Sequence, residues 1–190
     1  MKIIQSPKIW LGLLLVSSLS TGVLGGIQSE AETVIRQTFK QASHWEFQTL
    51  PLDSNARTKA GFRARQHFNL DKLYLWWIYD SSSVIGYAVL DNVMGKAQPI
   101  TYLVTFSPDL TVRQVRVLKY REQYGGAIQN QTWLSQFSGY TASQLLHLGH
   151  NVDGISGATI SADALTRGVV RITAYLNAID LDRPTGTASR

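Results

Sequence analysis

The sequence contains no cysteine in its 190 residues. Disulfide bonds, thiolate metal sites, c-type haem attachment and a lipid anchor on cysteine are therefore excluded. Any redox chemistry must come from an organic cofactor or from a metal held by nitrogen and oxygen ligands. The sequence also lacks a glycine-rich phosphate loop of the P-loop or dinucleotide type, and no Ser/His/Asp arrangement is singled out by its spacing.

Charged residues are sparse, at 16% of the chain. The formal net charge is +5, but the basic residues are spread from Lys2 to Arg190. Spread charge is typical of a solvated surface, so we expect no nucleic-acid binding. The length suits one domain with a terminal extension.

The N-terminal segment, residues 1–28, combines a basic start with an uncharged stretch. Lys2 and Lys8 precede the stretch, whose strongly apolar part runs from Ile9 to Val16 before serines follow. This pattern fits either a membrane anchor or a cleaved signal peptide. Both interpretations put the following domain outside the cytoplasm, either on the inner membrane facing the periplasm or secreted into the periplasm.

Residues 29–179 are predicted to form one α+β domain, an antiparallel sheet with flanking helices. Helical spacing is seen over 29–43 and 53–67, and alternating or aromatic runs predict four strands over 73–79, 84–90, 100–106 and 111–120. The second helix has a basic face, which we interpret as solvated. The tail, residues 180–190, lacks an apolar pattern and is expected to be flexible.

The most informative stretch runs from Asp153 to Ser161, immediately before a helical pattern. Two glycines, Gly154 and Gly157, permit unusual backbone conformations there. Thr159 is thus held on a loop of small residues at a helix N-terminus, where free amides favour a phosphate. An apolar stripe on the helix comprises Leu165, Val169, Ile172, Leu176 and Ile179.

The run Ser156-Gly-Ala-Thr-Ile-Ser161, with Asp153 upstream, resembles the flavinylation motif of FMN-binding domains. Such domains occur in the G subunit of Rnf complexes, in the C subunit of the sodium-translocating NADH:quinone oxidoreductase and in stand-alone bacterial proteins. Further resemblance lies in Gly86–Val89, Pro99–Ile100, Tyr120–Gly126 and Trp133–Gly139, so that it covers roughly Gly86 to Ile179. The Rnf G subunit usually has Glu-Thr-Pro-Gly where this chain has Glu122-Gln-Tyr-Gly125, which argues against Rnf membership.

The resemblance implies that Thr159 carries FMN through a phosphoester bond, installed from FAD by a flavin transferase. A plain helix N-cap is the alternative role for Thr159. Asp153 then either assists the transferase or closes an Asx turn. The remaining candidates are Ser156 and Ser161 at the phosphate or as caps, Gly157 and Ala158 keeping the approach open, and Glu122, Tyr124, Gly125, Gly126 and Trp133 lining the isoalloxazine ring. Trp133 fits a core position equally well.

A metal site is the other reading of this region, with His147, His150 and Asp153 as ligands. The spacing of three on a loop, with no further ligand nearby, does not support it. We therefore expect no metal.

The resemblance implies an exported, membrane-associated flavoprotein that transfers electrons between redox partners and is an electron carrier rather than a self-contained enzyme. Its partners are the flavin transferase and unidentified donor and acceptor proteins. The alternatives are a G-type subunit of an Rnf-like complex and a flavin-free extracytoplasmic binding module. A reductase with its own NAD(P)H site is disfavoured because no nucleotide fingerprint is present.

Overall fold

The structure, a computed structural model, describes residues 24–67, 70–179 and Leu181. These residues form the predicted α+β fold, with an antiparallel sheet of five strands and four α-helices. The helices are α1 (Leu24–Thr38), α2 (Ser54–Ala64), α3 (Gln131–Leu134) and α4 (Thr159–Leu176), and the strands are β1 (His44–Pro51), β2 (Lys72–Asp80), β3 (Ser83–Met94), β4 (Pro99–Phe106) and β5 (Val112–Lys119).

The predicted N-terminal anchor or signal segment lies largely outside the described residues, as does the tail except for Leu181. Helix α1 includes residues 24–28, which the predicted boundary at residue 28 assigned to that segment. The predicted second helix was also too long: α2 ends at Ala64, since Arg65 takes the left-handed conformation with φ of 50°. None of the helices that the structure describes is long and apolar enough to cross a bilayer.

The sheet is a meander in which every strand pairs antiparallel with its sequence neighbour, in the order β1 to β5. The four predicted strands are confirmed, but the prediction of four was one short because it missed β1. That strand is an edge strand with mostly exposed residues. It therefore lacks the buried alternation by which strands are recognised in a sequence.

Strand β2 is buried on both faces, which explains its continuous aromatic run. Side chains of successive residues point to opposite faces of a sheet. Trp77 accordingly belongs to the core beneath α2 and α4, whereas its neighbour Trp76 belongs to the core beneath α1. Both indoles are 2% exposed or less, so helices must cover both faces of the sheet.

Helix α4 packs its predicted stripe against the sheet. Leu165, Val169, Ile172 and Leu176 are all fully buried, while Ile179 follows the end of the helix and is partly buried. The helix approaches the sheet closely at Gly168, where a Cβ atom would lie 2.4 Å from the Tyr102 hydroxyl oxygen. Glycine is therefore required for this contact.

A partly buried ion pair fixes the C-terminal half of α4 to β3. The Arg171 guanidinium contacts the Asp91 carboxylate and donates to the Asn92 carbonyl at 3.1 Å. The Tyr102 hydroxyl donates to the same carboxylate at 3.0 Å. Burial is the main cause that raises the pKa of Tyr102, so this hydroxyl keeps its proton.

Leu165→Ala should lower the free energy of unfolding by about 2–5 kcal/mol, because the substitution leaves a cavity in a closed core. Arg167→Ala is the control on the same helix. Its ion pair with Asp163 is exposed and should contribute less than about 1 kcal/mol. Urea unfolding with equal m-values measures both. Similar small losses in the two variants would contradict the assigned helix face.

Candidate functional site

The loop from Asp153 to Ala158 delivers Thr159 as the first residue of α4. Gly157 has φ of 77°, a left-handed conformation that glycine adopts without strain. Gly154, by contrast, is not in that region, and a Cβ there would meet nothing within 4 Å. The expected conformational requirement for glycine thus holds at residue 157 and is wrong at residue 154.

The Thr159 hydroxyl does not cap the helix. The N-cap residue is Ala158, whose side chain has no hydrogen-bonding atom, and its carbonyl accepts from the Ala162 amide at 2.9 Å. Thr159 is exposed, and its hydroxyl forms no hydrogen bond with any residue the structure describes. The alternative interpretation of Thr159 as an N-cap is therefore wrong, and its hydroxyl is exposed at the helix N-terminus.

Thr159 lines a cleft of about 710 Å³. This volume lies within the range of roughly 300–1,000 Å³ typical of ligand pockets. Three segments form its walls: the β3–β4 turn at residues 96–98, the chain after β5 at residues 121–124, and the loop and helix start at residues 157–161. The cleft therefore joins three parts of the chain that are far apart in sequence.

The Glu122 carboxylate ties these three walls together. One of its oxygens accepts hydrogen bonds from the backbone amides of Ala97 at 2.8 Å and Gln98 at 3.3 Å. The other accepts longer bonds of 3.4 Å from the hydroxyls of Tyr120 and Ser161. These donors, first among them the Ala97 amide, hold the pKa of Glu122 below its ordinary value, so the group is a carboxylate at neutral pH.

Tyr120 connects the same cluster to Tyr124 and Gly125. Its hydroxyl donates to the Tyr124 carbonyl at 2.5 Å. Gly125 has φ of 85°, and a Cβ there would lie 2.6 Å from the Tyr120 hydroxyl and 3.3 Å from the Ala158 Cβ. The turn thereby lies close to Ala158 in the loop before Thr159, and the Tyr124 side chain remains 76% exposed beside the cleft.

The remaining predicted residues do not all meet at this cleft. Ser161 lines it but is buried with its hydroxyl turned to Glu122. Gly126 does not line the cleft and instead begins a short 3₁₀ turn. Ser156 and Asp153 border a separate cleft of about 610 Å³.

Trp133 also borders that second cleft and is absent from the cleft of Thr159. Its indole is 8% exposed, packs edge-on against Phe137 with ring centroids 5.3 Å apart, and donates to the Asp153 carbonyl at 2.7 Å. The structure thus favours the core role over the ring-lining role. Trp133 supports the loop before Thr159 at its other end, Asp153.

The Asp153 side chain is exposed and closes no Asx turn, since its carboxylate accepts no backbone hydrogen bond within the described chain. The backbone of Asp153 is held instead by Gln136, whose side-chain oxygen accepts from the Asp153 amide at 2.9 Å. Among the described residues, no group of three or more potential metal ligands occurs, either at His147, His150 and Asp153 or elsewhere.

Seven residues that sequence reasoning missed complete the site: Tyr120 supports the cleft, and six others line it, namely Lys96, Ala97, Gln98, Arg121, Gln123 and Ile160. Tyr120 and Arg121 directly precede the Glu122 candidate, so proximity in the sequence was a usable signal for them. Lys96 lies in a hairpin turn 63 residues before Thr159, and no local pattern links the two.

A larger open groove of about 1,160 Å³ lies between α2 and residues 142–145. It contains Arg57, Arg63 and Arg65 of the predicted basic face. Arg57 pairs with the exposed Asp71 at 3.0 Å, as expected of a solvated surface. None of the motif residues reaches this groove, so we assign the functional site to the cleft of Thr159.

Comparison with known proteins gives a match to one family model. Residues 95–173 match the model of a family described as the FMN-binding domain, so this part of the chain is similar to that family. The match contains all three walls of the cleft and extends over less of the chain than the resemblance from Gly86 to Ile179.

The fold resembles that of NqrC from Shewanella oneidensis in its crystal structure, with a TM-score of 0.51 and 18% sequence identity. The likeness covers 80% of this chain and 94% of that protein, and it shows a shared fold. No curated protein sequence matches this chain.

Glu122→Gln should destabilise the protein at neutral pH and do so less in acid. The folded pKa of Glu122 lies below the ordinary value of 4.5, so its ionised form contributes stability above that pH, and this contribution is lost as the pH falls through the folded value. Chemical denaturation of both proteins at pH 7 and pH 3 measures the difference. If the stability difference between the two proteins is the same at pH 7 and pH 3, the ionised Glu122 carboxylate does not stabilise the fold as predicted.

Proposed function

We propose that this protein is an exported, membrane-associated flavoprotein that carries FMN covalently on Thr159 and transfers electrons between redox partners. The observation that carries the proposal is the free, exposed Thr159 hydroxyl at the mouth of a ligand-sized cleft. The match of residues 95–173 to the FMN-binding domain family is what suggests FMN as the cofactor. A hydroxyl that makes no structural hydrogen bond is available for chemistry.

The attachment is a phosphoryl transfer from FAD. The Thr159 oxygen attacks the phosphorus of the FMN half, a new P–O bond forms, and the pyrophosphate P–O bond breaks with AMP as the leaving group. The hydroxyl proton goes to a base. A dedicated flavin transferase catalyses this step in our proposal, and the exposed Asp153 carboxylate is the group it recognises or uses to align the hydroxyl.

The start of α4 suits the phosphate of the attached FMN. The first amides of a helix have no intrahelical partners and carry the positive end of its dipole. Thr159, as the first helical residue, holds its oxygen within that field. The resulting phosphodiester keeps one negative charge, which these amides stabilise.

The isoalloxazine ring needs an apolar wall beside this phosphate. Tyr124 and Ile160 line the cleft and are 76% and 55% exposed, although large apolar side chains usually gain by burial. An FMN ring stacked on Tyr124 would cover both. Trp133, which borders the other cleft, is not assigned to the ring in this proposal.

The flavin, once bound, supplies the redox chemistry, and the protein supplies position, electrostatics and restricted access of water. A covalent bond suits an extracytoplasmic carrier, which would lose a dissociable cofactor. The anchor or signal segment at residues 1–28 supports this location, with the domain on the periplasmic side of the inner membrane. Donor and acceptor are other redox proteins, and a stand-alone carrier fits Glu122-Gln-Tyr-Gly125 better than an Rnf G subunit does.

Thr159→Val should abolish covalent flavin while leaving the fold intact, because the side chain is exposed and only the hydroxyl is lost. The protein is exported in a host with a flavin transferase, and in-gel fluorescence after denaturation detects bound flavin. Thr159→Ser retains a hydroxyl and should restore labelling in part. A fluorescent band in Thr159→Val would refute the attachment site, and a wild-type protein that never acquires flavin would favour a flavin-free binding module.

Tyr124→Ala should leave flavinylation unchanged but alter the absorption and fluorescence of the bound flavin. The variant removes an aromatic partner worth about 0.5–1.5 kcal/mol beyond area burial. Trp133→Phe is the comparison: it should cost stability through its lost bond to the Asp153 carbonyl, about 0.5–1.5 kcal/mol, and leave the flavin spectrum as it is. The reverse result would place the ring at the second cleft.

A further inference from the structure

The cleft of Thr159 carries an excess of positive charge. Its lining includes two cations, Lys96 and Arg121, and one carboxylate, Glu122. Neither cation forms an ion pair with any residue in the described part of the chain. The balance is one positive charge, before the positive end of α4 is counted.

Glu122 does not neutralise the two cations by contact. Its oxygens are taken up by the amides of Ala97 and Gln98 and by two hydroxyls. Arg121 is turned away from it, with one guanidinium nitrogen donating to the Pro99 carbonyl at 3.1 Å and to the Thr101 hydroxyl at 3.2 Å. Both of these acceptors are neutral, so the guanidinium charge is held in place without compensation.

Lys96 is the more adaptable of the two cations. It lies in the β3–β4 turn, whose backbone is fixed by Glu122 and by the hydrogen bond from the Gly95 amide to the Gln98 carbonyl at 3.0 Å. Its own side chain is exposed and forms no hydrogen bond within the described chain. A fixed backbone with a free ammonium group at the cleft allows contact with a ligand held there.

In the proposed attachment, the N-terminal amides of α4 already stabilise the phosphate of FMN. The cations stand on the two other walls of the cleft, at residues 96–98 and 121–124. We propose that Lys96, assisted by Arg121, stabilises the negative charge that the isoalloxazine ring acquires on reduction, and so raises the reduction potential of the flavin. This inference rests on the proposed function, because it requires FMN in this cleft.

The charge balance of the reduction explains the effect. The neutral ring takes up two electrons and one proton from the external reductant and solvent, and it becomes a monoanion with its charge near N1. A cation near that edge favours the reduced form without a covalent step of its own. Lys96 and Arg121 therefore act only through their charge. The electrons come from the donor protein or, in an assay, from dithionite.

Lys96→Gln should lower the equilibrium constant for two-electron reduction on the order of tenfold, the effect of one charge at about 10 Å in a partly screened site. For a two-electron couple a tenfold change is about 30 mV. The midpoint potential of the flavinylated protein is measured by dithionite titration against a reference dye. The pKa of N1 in the reduced flavin should rise by about one unit, seen in the pH dependence of the potential.

Lys40→Gln is the matched control. Lys40 is an exposed lysine just after α1, beyond the opposite face of the sheet, and its loss changes the net charge equally. It should leave the potential within a few millivolts, since distant exposed charges are screened by salt. Equal shifts in the two variants, or no shift in Lys96→Gln, would overturn the proposal.

A second experiment tests the same proposal without covalent attachment of the flavin. In the Thr159→Val background, free FMN is titrated in its oxidised and dithionite-reduced forms and binding is followed by tryptophan and flavin fluorescence. Lys96→Gln should reduce the preference for the reduced form about tenfold, the same factor as the potential shift by linkage. Weaker binding of FMN in both forms, with riboflavin unaffected, would assign Lys96 to the phosphate and overturn the proposal. Failure of the attachment itself is seen separately, as a wild-type protein without a fluorescent band.

Discussion

The structure depends on a sheet that is buried on both faces. Trp76 and Trp77, adjacent in sequence, enter opposite cores, so neither α1 on one side nor α2 and α4 on the other can leave without exposing a large aromatic surface. Because α4 is pressed onto the sheet along its whole apolar stripe, the loop in front of it is fixed as well. The position of Thr159 is thus a result of core packing. An exposed residue at the start of the helix is thereby positioned as precisely as the buried part of that helix.

The cleft is organised by one carboxylate. Glu122 satisfies the backbone of a hairpin turn and reaches the start of α4, and Tyr120 extends the connection to Tyr124. Charge-assisted hydrogen bonds to backbone amides are stronger than neutral ones, so a single side chain can fix three segments. The arrangement leaves the exposed aromatic side chain of Tyr124, two cations and a free hydroxyl around one space. That combination suits a flat, anionic ligand.

Local patterns predicted most of the fold and part of the site. The stripe on α4 and four strands were readable because burial follows a period of 3.6 or 2. Strand β1 was not, since an exposed edge strand carries no such signal. The motif around Thr159 was recognised from contiguous residues. Lys96 was missed and the role of Trp133 stayed open between the ring and the core, because both depend on which distant segments meet, and sequence spacing does not encode that.

The ion pair between Arg171 and Asp91 affects the orientation of Thr159 as well as the attachment of α4 to the sheet. An α-helix turns by about 100° per residue, and Arg171 stands about 18 Å along the axis from Thr159. Slippage of α4 by one residue would swing the threonine a quarter turn or more out of the cleft. The ion pair and the close approach of the helix to the sheet at Gly168 both restrict rotation of α4 about its axis. The orientation of the Thr159 hydroxyl is thus set three turns away, by a residue that does not line the cleft of Thr159.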